Sequence, residues 1–300
     1  MADNYSPPRY RVIDGTLYAR ETLPYSHVVR VHELGRGHVE ASVLPDYAWH
    51  EVDALSDTAA ADFLRARDHI FVNGEWVPSV EDEATRLDKV ARNRERSARR
   101  AKTAVRRLVK HKSLTHMLTL TYQDNMEDRD RMARDFDVFV KRVRRVVPGF
   151  QYVCVFERQK RGAWHAHIAV ERVLTHYAHK GQLVRSYDLL RSLWRGVIGS
   201  GGNVDVSRGK RAGRSMAKLA SYLSKYITKG FASGAFEDGD SYRASGRALP
   251  KPTFVRVVGD LGTGFTALLD LVMADWCKPG AKLHHALLDC GGYFVSISPD

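Results

Sequence analysis

The stretch Phe150–Val170 (FQYVCVFERQKRGAWHAHIAV) restricts the fold more than any other part of the chain. Two runs rich in β-formers, Phe150–Glu157 and Trp164–Val170, flank a polar turn, Arg158–Ala163. Strands this close in sequence pair antiparallel, because a parallel return needs a crossover of about a dozen residues or more. An antiparallel hairpin is therefore the seed of whatever sheet the chain builds.

The flanking patterns extend it. Thr115–Tyr122 (THMLTLTY) alternates and reads as another strand, buried at an edge of the sheet. Met132, Phe136, Phe139, Val140 and Val143 share one face of a helix, which Pro148-Gly149 stops. Ser186–Val197 has helical spacing, with Leu189, Leu190, Leu193 and Trp194 as its apolar face; Asn203–Val206 reads as a strand; Ser215–Lys229 reads as a helix ended by Gly230. The fold class is α+β, a central antiparallel sheet with flanking helices and with extensions at both ends. Residues 1–80 form the N-terminal extension, with strand-like pieces at Tyr10–Ile13 and His27–His32 and no chemical motif. Residues 81–112 form a basic helix, 113–232 the core, and 233–300 a linker and C-terminal extension. In that last segment a Gly- and Ser-rich loop precedes a strand at Thr253–Val258 and a helix at Thr263–Trp276.

Charge is unevenly spread. The net charge is +12, and Arg86–Lys112 alone holds twelve Lys or Arg against Asp88 and Glu95. One reading is a solvated helix with a few salt bridges. The other is contact with a nucleic-acid backbone through Arg99, Arg100, Arg106 and Arg107, which would be salt-dependent and indifferent to sequence. The imbalance exceeds what internal pairing can neutralise. Cys154, Cys277 and Cys290 show no CxxC spacing, which argues against a disulfide framework and fits a reducing cytoplasm. The opening residues lack a secretory pattern, and no apolar run approaches the ~20 residues that span a bilayer, so no membrane role is expected.

Two constellations carry chemistry. In Trp164–Val170, His165 and His167 lie two apart and point to the same face of a strand, roughly 6–7 Å apart. They are either sheet-surface histidines with ordinary hydrogen bonds or a pair of ligands for a divalent metal. Glu157, on the preceding strand, completes a three-group set only if it pairs near His165; a one-residue slip turns it to the other face. A five-residue turn or a bulge satisfies that condition and a symmetric six-residue turn does not. The second constellation is YLSKYITK. Tyr222 and Tyr226 are i and i+4 on one helix face, with Lys225 and Lys229 in a row beside them. They are either aromatic packing with solvated lysines or two nucleophiles flanked by cations. A free phenol has a pKa near ~10, so attack on a phosphodiester needs a metal or lysine to stabilise developing charge.

LTLTY, HAH and YLSKYITK, in that order over roughly residues 113–230, resemble the HUH endonucleases, specifically the rolling-circle replication initiators of small phages and plasmids. The resemblance implies an HUH or RRM-like core with the active site on one sheet face. It implies Mg²⁺ or Mn²⁺ on His165 and His167, with Glu157 where relatives often carry the acidic ligand. The tandem tyrosines look like the two-tyrosine type, with Tyr226 as main nucleophile, Tyr222 as partner for the closing transfer, and Lys225 and Lys229 each three residues after a tyrosine. The implied reaction nicks single-stranded or hairpin origin DNA, leaving a 5′-phosphotyrosine and a free 3′-OH. A host polymerase would extend that end in the cytoplasm of a bacterial cell. No G-x-x-x-x-G-K-[ST] motif occurs, so unwinding falls to a host helicase; the Gly259–Gly264 run lacks the lysine and reads as a turn before a helix. The competing readings are a relaxase or single-strand transposase of the same superfamily, and a non-catalytic nucleic-acid-binding protein.

Overall fold

The computed structural model describes residues 10–13, 16–52, 69–78, 83–207, 216–233, 241–288 and 291–299. The strands in chain order are β1 (Tyr10–Ile13), β2 (Thr16–Glu33), β3 (Val39–Glu51), β4 (His69–Val72), β5 (Glu75–Pro78), β6 (His116–Tyr122), β7 (Tyr152–Arg158), β8 (Trp164–Val170), β9 (His176–His179), β10 (Gln182–Arg185), β11 (Gly202–Ser207), β12 (Arg243–Ala244), β13 (Thr253–Val258), β14 (Lys282–Leu288) and β15 (Gly292–Ser298). The described helices are α1 (Glu83–His111), α2 (Arg129–Val146), α3 (Ser186–Ile198), α4 (Met216–Ala232) and α5 (Leu261–Trp276). The fold is α+β with antiparallel sheets, as the pattern implied. It divides into two units, one of Met1–Glu33, Gly37–Ala91 and Pro250–Asp300, the other of Leu34–Arg36 and Arg92–Leu249.

The second unit is a five-stranded sheet in the order β11-β6-β8-β7-β12, with every neighbour antiparallel. Strand alternation gives it two apolar faces. Leu118, Leu120, Tyr152, Cys154, Phe156, Ala166, Ile168 and Val204 meet α2 and α3 on one side. Met117, Val153, Val155 and Ala169 meet α1 and α4 on the other. All five residues of the apolar stripe on α2 are buried, and Asp128 caps its first turn by accepting from the Arg131 amide at 2.9 Å. Gly199, in the left-handed conformation at φ 70°, ends α3.

Three local expectations differ from the observed elements. β6 is an inner strand rather than an edge, because β11 hydrogen-bonds along its outer side. Gly230 does not end α4: it is buried within the helix, which runs on to Ala232. The terminal carbonyls find donors instead, the Ser233 amide bonding Lys229 O at 3.0 Å and its hydroxyl Gly230 O at 3.3 Å. Part of the Gly/Ser-rich loop adds β12 to β7, where Arg243 Nη1 donates to both carboxylate oxygens of Asp137 at 2.6 and 2.7 Å.

The first unit joins what the sequence presents as two separate extensions. Its sheet runs β1-β2-β3-β15-β14, with β13 also paired to β2. N-terminal β2 and β3 thus share a sheet with three strands from the last fifty residues, over a core of Val29, Val31, Val39, Ala41, Val43, Val295 and Ile297 covered by Leu268 and Val272 of α5. Gly264 allows that approach, since a Cβ there would sit 2.9 Å from Val43 Cγ2. α5 starts at Leu261, capped by Asp260 on the Thr263 amide at 2.8 Å, so the last four residues of the Gly259–Gly264 run are helix rather than turn. β4 and β5 form a hairpin through Asn73-Gly74, both at positive φ (51° and 87°) as a two-residue type I′ turn requires.

Candidate active site

The sheet face beneath α1 and α4 changes character along its strands. On β7 it runs Val153, Val155, Glu157; on β8 it runs Ala169, His167, His165. The apolar ends are buried under the helices, and the polar ends meet beside α4. The register decides this. Glu157 pairs with His165 and Val155 with His167, placing all three polar groups on one face. The turn between the strands has five residues, closed by the Gln159 amide on Ala163 O at 2.8 Å, one residue shorter than Arg158–Ala163 because Arg158 pairs with Trp164. The condition on Glu157 is met. The two imidazole centroids lie 6.5 Å apart, as two positions on one strand require.

α4 buries Leu219, Ala220, Leu223, Tyr226 and Ile227, which turns Tyr226 inward to the sheet with Tyr222 one turn earlier beside it. The His167 and Tyr226 rings stack, with centroids 3.9 Å apart and planes within 3°. Tyr222 stands edge-on to both, 6.2 Å from His167 and 5.0 Å from Tyr226. The Tyr226 hydroxyl donates to the Tyr222 hydroxyl. The imidazole pair and the phenol pair therefore meet.

Lys229 Nζ donates to Glu157 Oε1 at 2.8 Å, and His167 Nε2 donates to Glu157 Oε2 at 2.8 Å. Lys229 also lies 5.4 Å from the Tyr226 ring centroid. Lys225 is exposed on the same helix and makes no hydrogen bond or ion pair among the described residues. Burial pushes the Glu157 carboxyl up, but the hydrogen bonds from His167 and Lys229 outweigh it and hold the group below its ordinary value. Burial, with the neighbouring His167, holds the His165 imidazole below its ordinary value, so it is neutral at neutral pH with a lone pair to give.

Two polar neighbours escaped the sequence reading. Thr119 pairs with His167 across β6 and β8 and lies 3.5 Å from its Nδ1; the Gln159 amide lies 3.1 Å from His165 Nδ1. Each contacts the Nδ1 nitrogen of one imidazole. Thr119 lies within LTLTY, and its role follows only once β6 is placed beside β8. His165 Nε2 is buried with no hydrogen-bond partner among the described residues. An orphaned imidazole nitrogen, a second imidazole and a carboxylate suit a divalent cation in donor type. Among the described residues, however, no three His, Cys, Asp or Glu side chains converge to hold a metal ion as they stand.

The basic helix forms as expected from Glu83 to His111. Its stripe of Ala98, Ala101, Val105, Leu108 and Val109 is buried, Arg100 is exposed, and Arg99, Arg106 and Arg107 are half-buried, with Arg99 paired to Glu95 at 2.6 Å. Lys110 is buried at the helix end. Cys154 and Cys277 are free thiols; Cys290 lies outside the described residues. Among those residues no helix is long and apolar enough to cross a membrane.

Residues 115–231 match the model of a family of replication-associated proteins, the ORF2 family. The matched stretch holds every residue of the imidazole–phenol cluster and supports a replication-associated protein. No curated protein and no solved structure matches the chain.

Proposed function

We propose that the protein initiates rolling-circle DNA replication as an HUH endonuclease of the two-tyrosine type, nicking and rejoining single-stranded DNA at an origin. The stacking of His167 on Tyr226 carries this reading, because it sets two candidate nucleophiles against two candidate metal ligands in one pocket of side chains. Tyr226 lies nearer His167 than Tyr222 does and attacks first. Its phenol oxygen bonds to phosphorus, the 3′-oxygen of the preceding nucleotide leaves and takes up a proton, and the phenol proton is lost to solvent. A 5′-phosphotyrosine and a free 3′-OH result. Tyr222 serves the later transfer that releases a closed circle, and the conserved bond energy removes any need for ATP.

His165, His167 and Glu157 would hold a divalent cation, Mg²⁺ or Mn²⁺, whose chemistry is to polarise a phosphate oxygen and stabilise charge developing on it. The side chains do the rest: Thr119 and Gln159 orient the imidazoles, and Lys229 places a cation beside the Tyr226 ring. The basic surface of α1, with Arg99, Arg100, Arg106 and Arg107, binds the DNA backbone. Glu157 in the third position, rather than a third histidine, favours an initiator over a relaxase. A host helicase and polymerase in a bacterial cytoplasm would complete the cycle. The test is incubation with labelled origin-region single strand and Mn²⁺, then a denaturing gel. A band of protein carrying DNA is expected, and its absence with retained DNA binding would favour a non-catalytic binding protein.

A further inference from the structure

One ion pair in the cluster bears directly on the proposed metal. Both oxygens of Glu157 are engaged, Oε2 by the His167 imidazole and Oε1 by the Lys229 ammonium, each at 2.8 Å. The carboxylate and the ammonium differ in exposure: the Glu157 side chain is 12% exposed and that of Lys229 53%. The carboxylate is thus built into the site, whereas the ammonium reaches in from solvent on a flexible stem. A largely buried carboxylate needs a counter-charge, and Lys229 supplies one. A divalent ion on the same oxygen would repel the ammonium at contact distance.

Resting on the metal-site reading above, we infer that Lys229 is a placeholder for the cation. It neutralises Glu157 before loading, competes with the incoming ion for that carboxylate, and is displaced when the ion binds. The displaced ammonium keeps its place on α4, three residues from Tyr226, where it faces the phosphate that the phenol attacks. Lys229 is in this sense a positioning residue that couples loading of the site to arrival of a second positive charge at the nucleophile.

The experiment is Mn²⁺ binding to the full chain without DNA, followed by the electron paramagnetic resonance signal of free Mn²⁺ at low and high salt. Lys229→Met should bind Mn²⁺ roughly tenfold more tightly than wild type at low salt, with the gap narrowing as screening grows. Lys229→Arg should stay near wild type. Lys218→Met, which removes an exposed charge from the same helix, controls for net charge. A purely structural role for Lys229 would weaken binding on truncation rather than tighten it. Equal or weaker binding by Lys229→Met, with wild type binding normally, overturns the placeholder alone. No Mn²⁺ binding by wild type overturns the metal reading and the placeholder together.

Discussion

The imidazole of His167 lies flat against the phenol of Tyr226, centroids 3.9 Å apart, so a strand of the sheet and a helix laid over it present these two side chains as one stacked pair. Tyr226 is 6% exposed and packed in the same apolar layer as Leu223 and Ile227, whereas Tyr222 is only partly covered.

On the proposed function, that difference goes with unequal roles. Tyr226→Phe should lower formation of the first covalent adduct by on the order of 10³-fold or more, as removal of a nucleophile does. Tyr222→Phe should leave the first nick within a few-fold of wild type and block circle closure. Adduct yield on single strands and ligation on circular substrates separate the two. Full nicking by Tyr226→Phe would show that Tyr222 leads.

His165→Ala combined with His167→Ala should abolish Mn²⁺-dependent cleavage while DNA affinity stays within about threefold, since backbone contacts from basic residues supply most of the affinity. Cleavage that persists in a chelator, measured on the wild type, would remove the metal from the reaction.

Changing Arg99, Arg100, Arg106 and Arg107 to Gln should weaken single-strand binding and flatten its dependence on salt, by about 0.7 in log–log slope for each phosphate the helix no longer neutralises. An unchanged slope from titrations at several salt concentrations would return α1 to an ordinary solvated helix.

Stability should fall in acid through two groups of the site. The His165 value is depressed below its ordinary 6.5, so the folded state binds this proton less readily than the unfolded one; its contribution is present above pH 6.5 and is lost as pH falls through the folded value. Glu157 is depressed below its ordinary 4.5, and its contribution is present above pH 4.5 and lost only in stronger acid. Urea midpoints measured from about pH 7.5 to about pH 5 should therefore decline less steeply for His165→Gln than for wild type. Identical slopes would contradict the depressed imidazole.

Gly162 sits in the β7–β8 turn at φ +96°, and a Cβ there would stand 2.7 Å from Glu127 Cδ. Gly162→Ala should cost about 1–3 kcal/mol in urea unfolding, from the disfavoured backbone region and the displaced Glu127. A neutral effect would mean that the turn relaxes freely.

Much of the site was legible because strand and helix periods act locally. The run from Trp164 to Val170 is a strand over those same residues, and the two-residue spacing of His165 and His167 fixed their shared face. The i, i+4 tyrosines followed from one helical turn. What escaped depends on partners distant in the chain. Nothing in Val39–Glu51 announces pairing with Gly292–Ser298, because half-buried strands carry the same alternation whichever neighbour they take. The Lys229–Glu157 ion pair spans 72 residues and exists only once α4 has docked on β7. Even Gly230, a reasonable stop signal, was overridden by the burial of that turn and by Ser233 supplying donors one step later.

The spacing of the phenols along α4 carries a last consequence. They stand about one turn apart, roughly 6 Å of rise, yet they share a single imidazole–carboxylate station. Such a layout has two hands and one anvil. On the proposed chemistry, the successive transfers cannot take place with the nucleic acid in one fixed pose, so the strand itself must advance along the helix axis between them, and the order of events is written into a difference of depth between otherwise identical side chains.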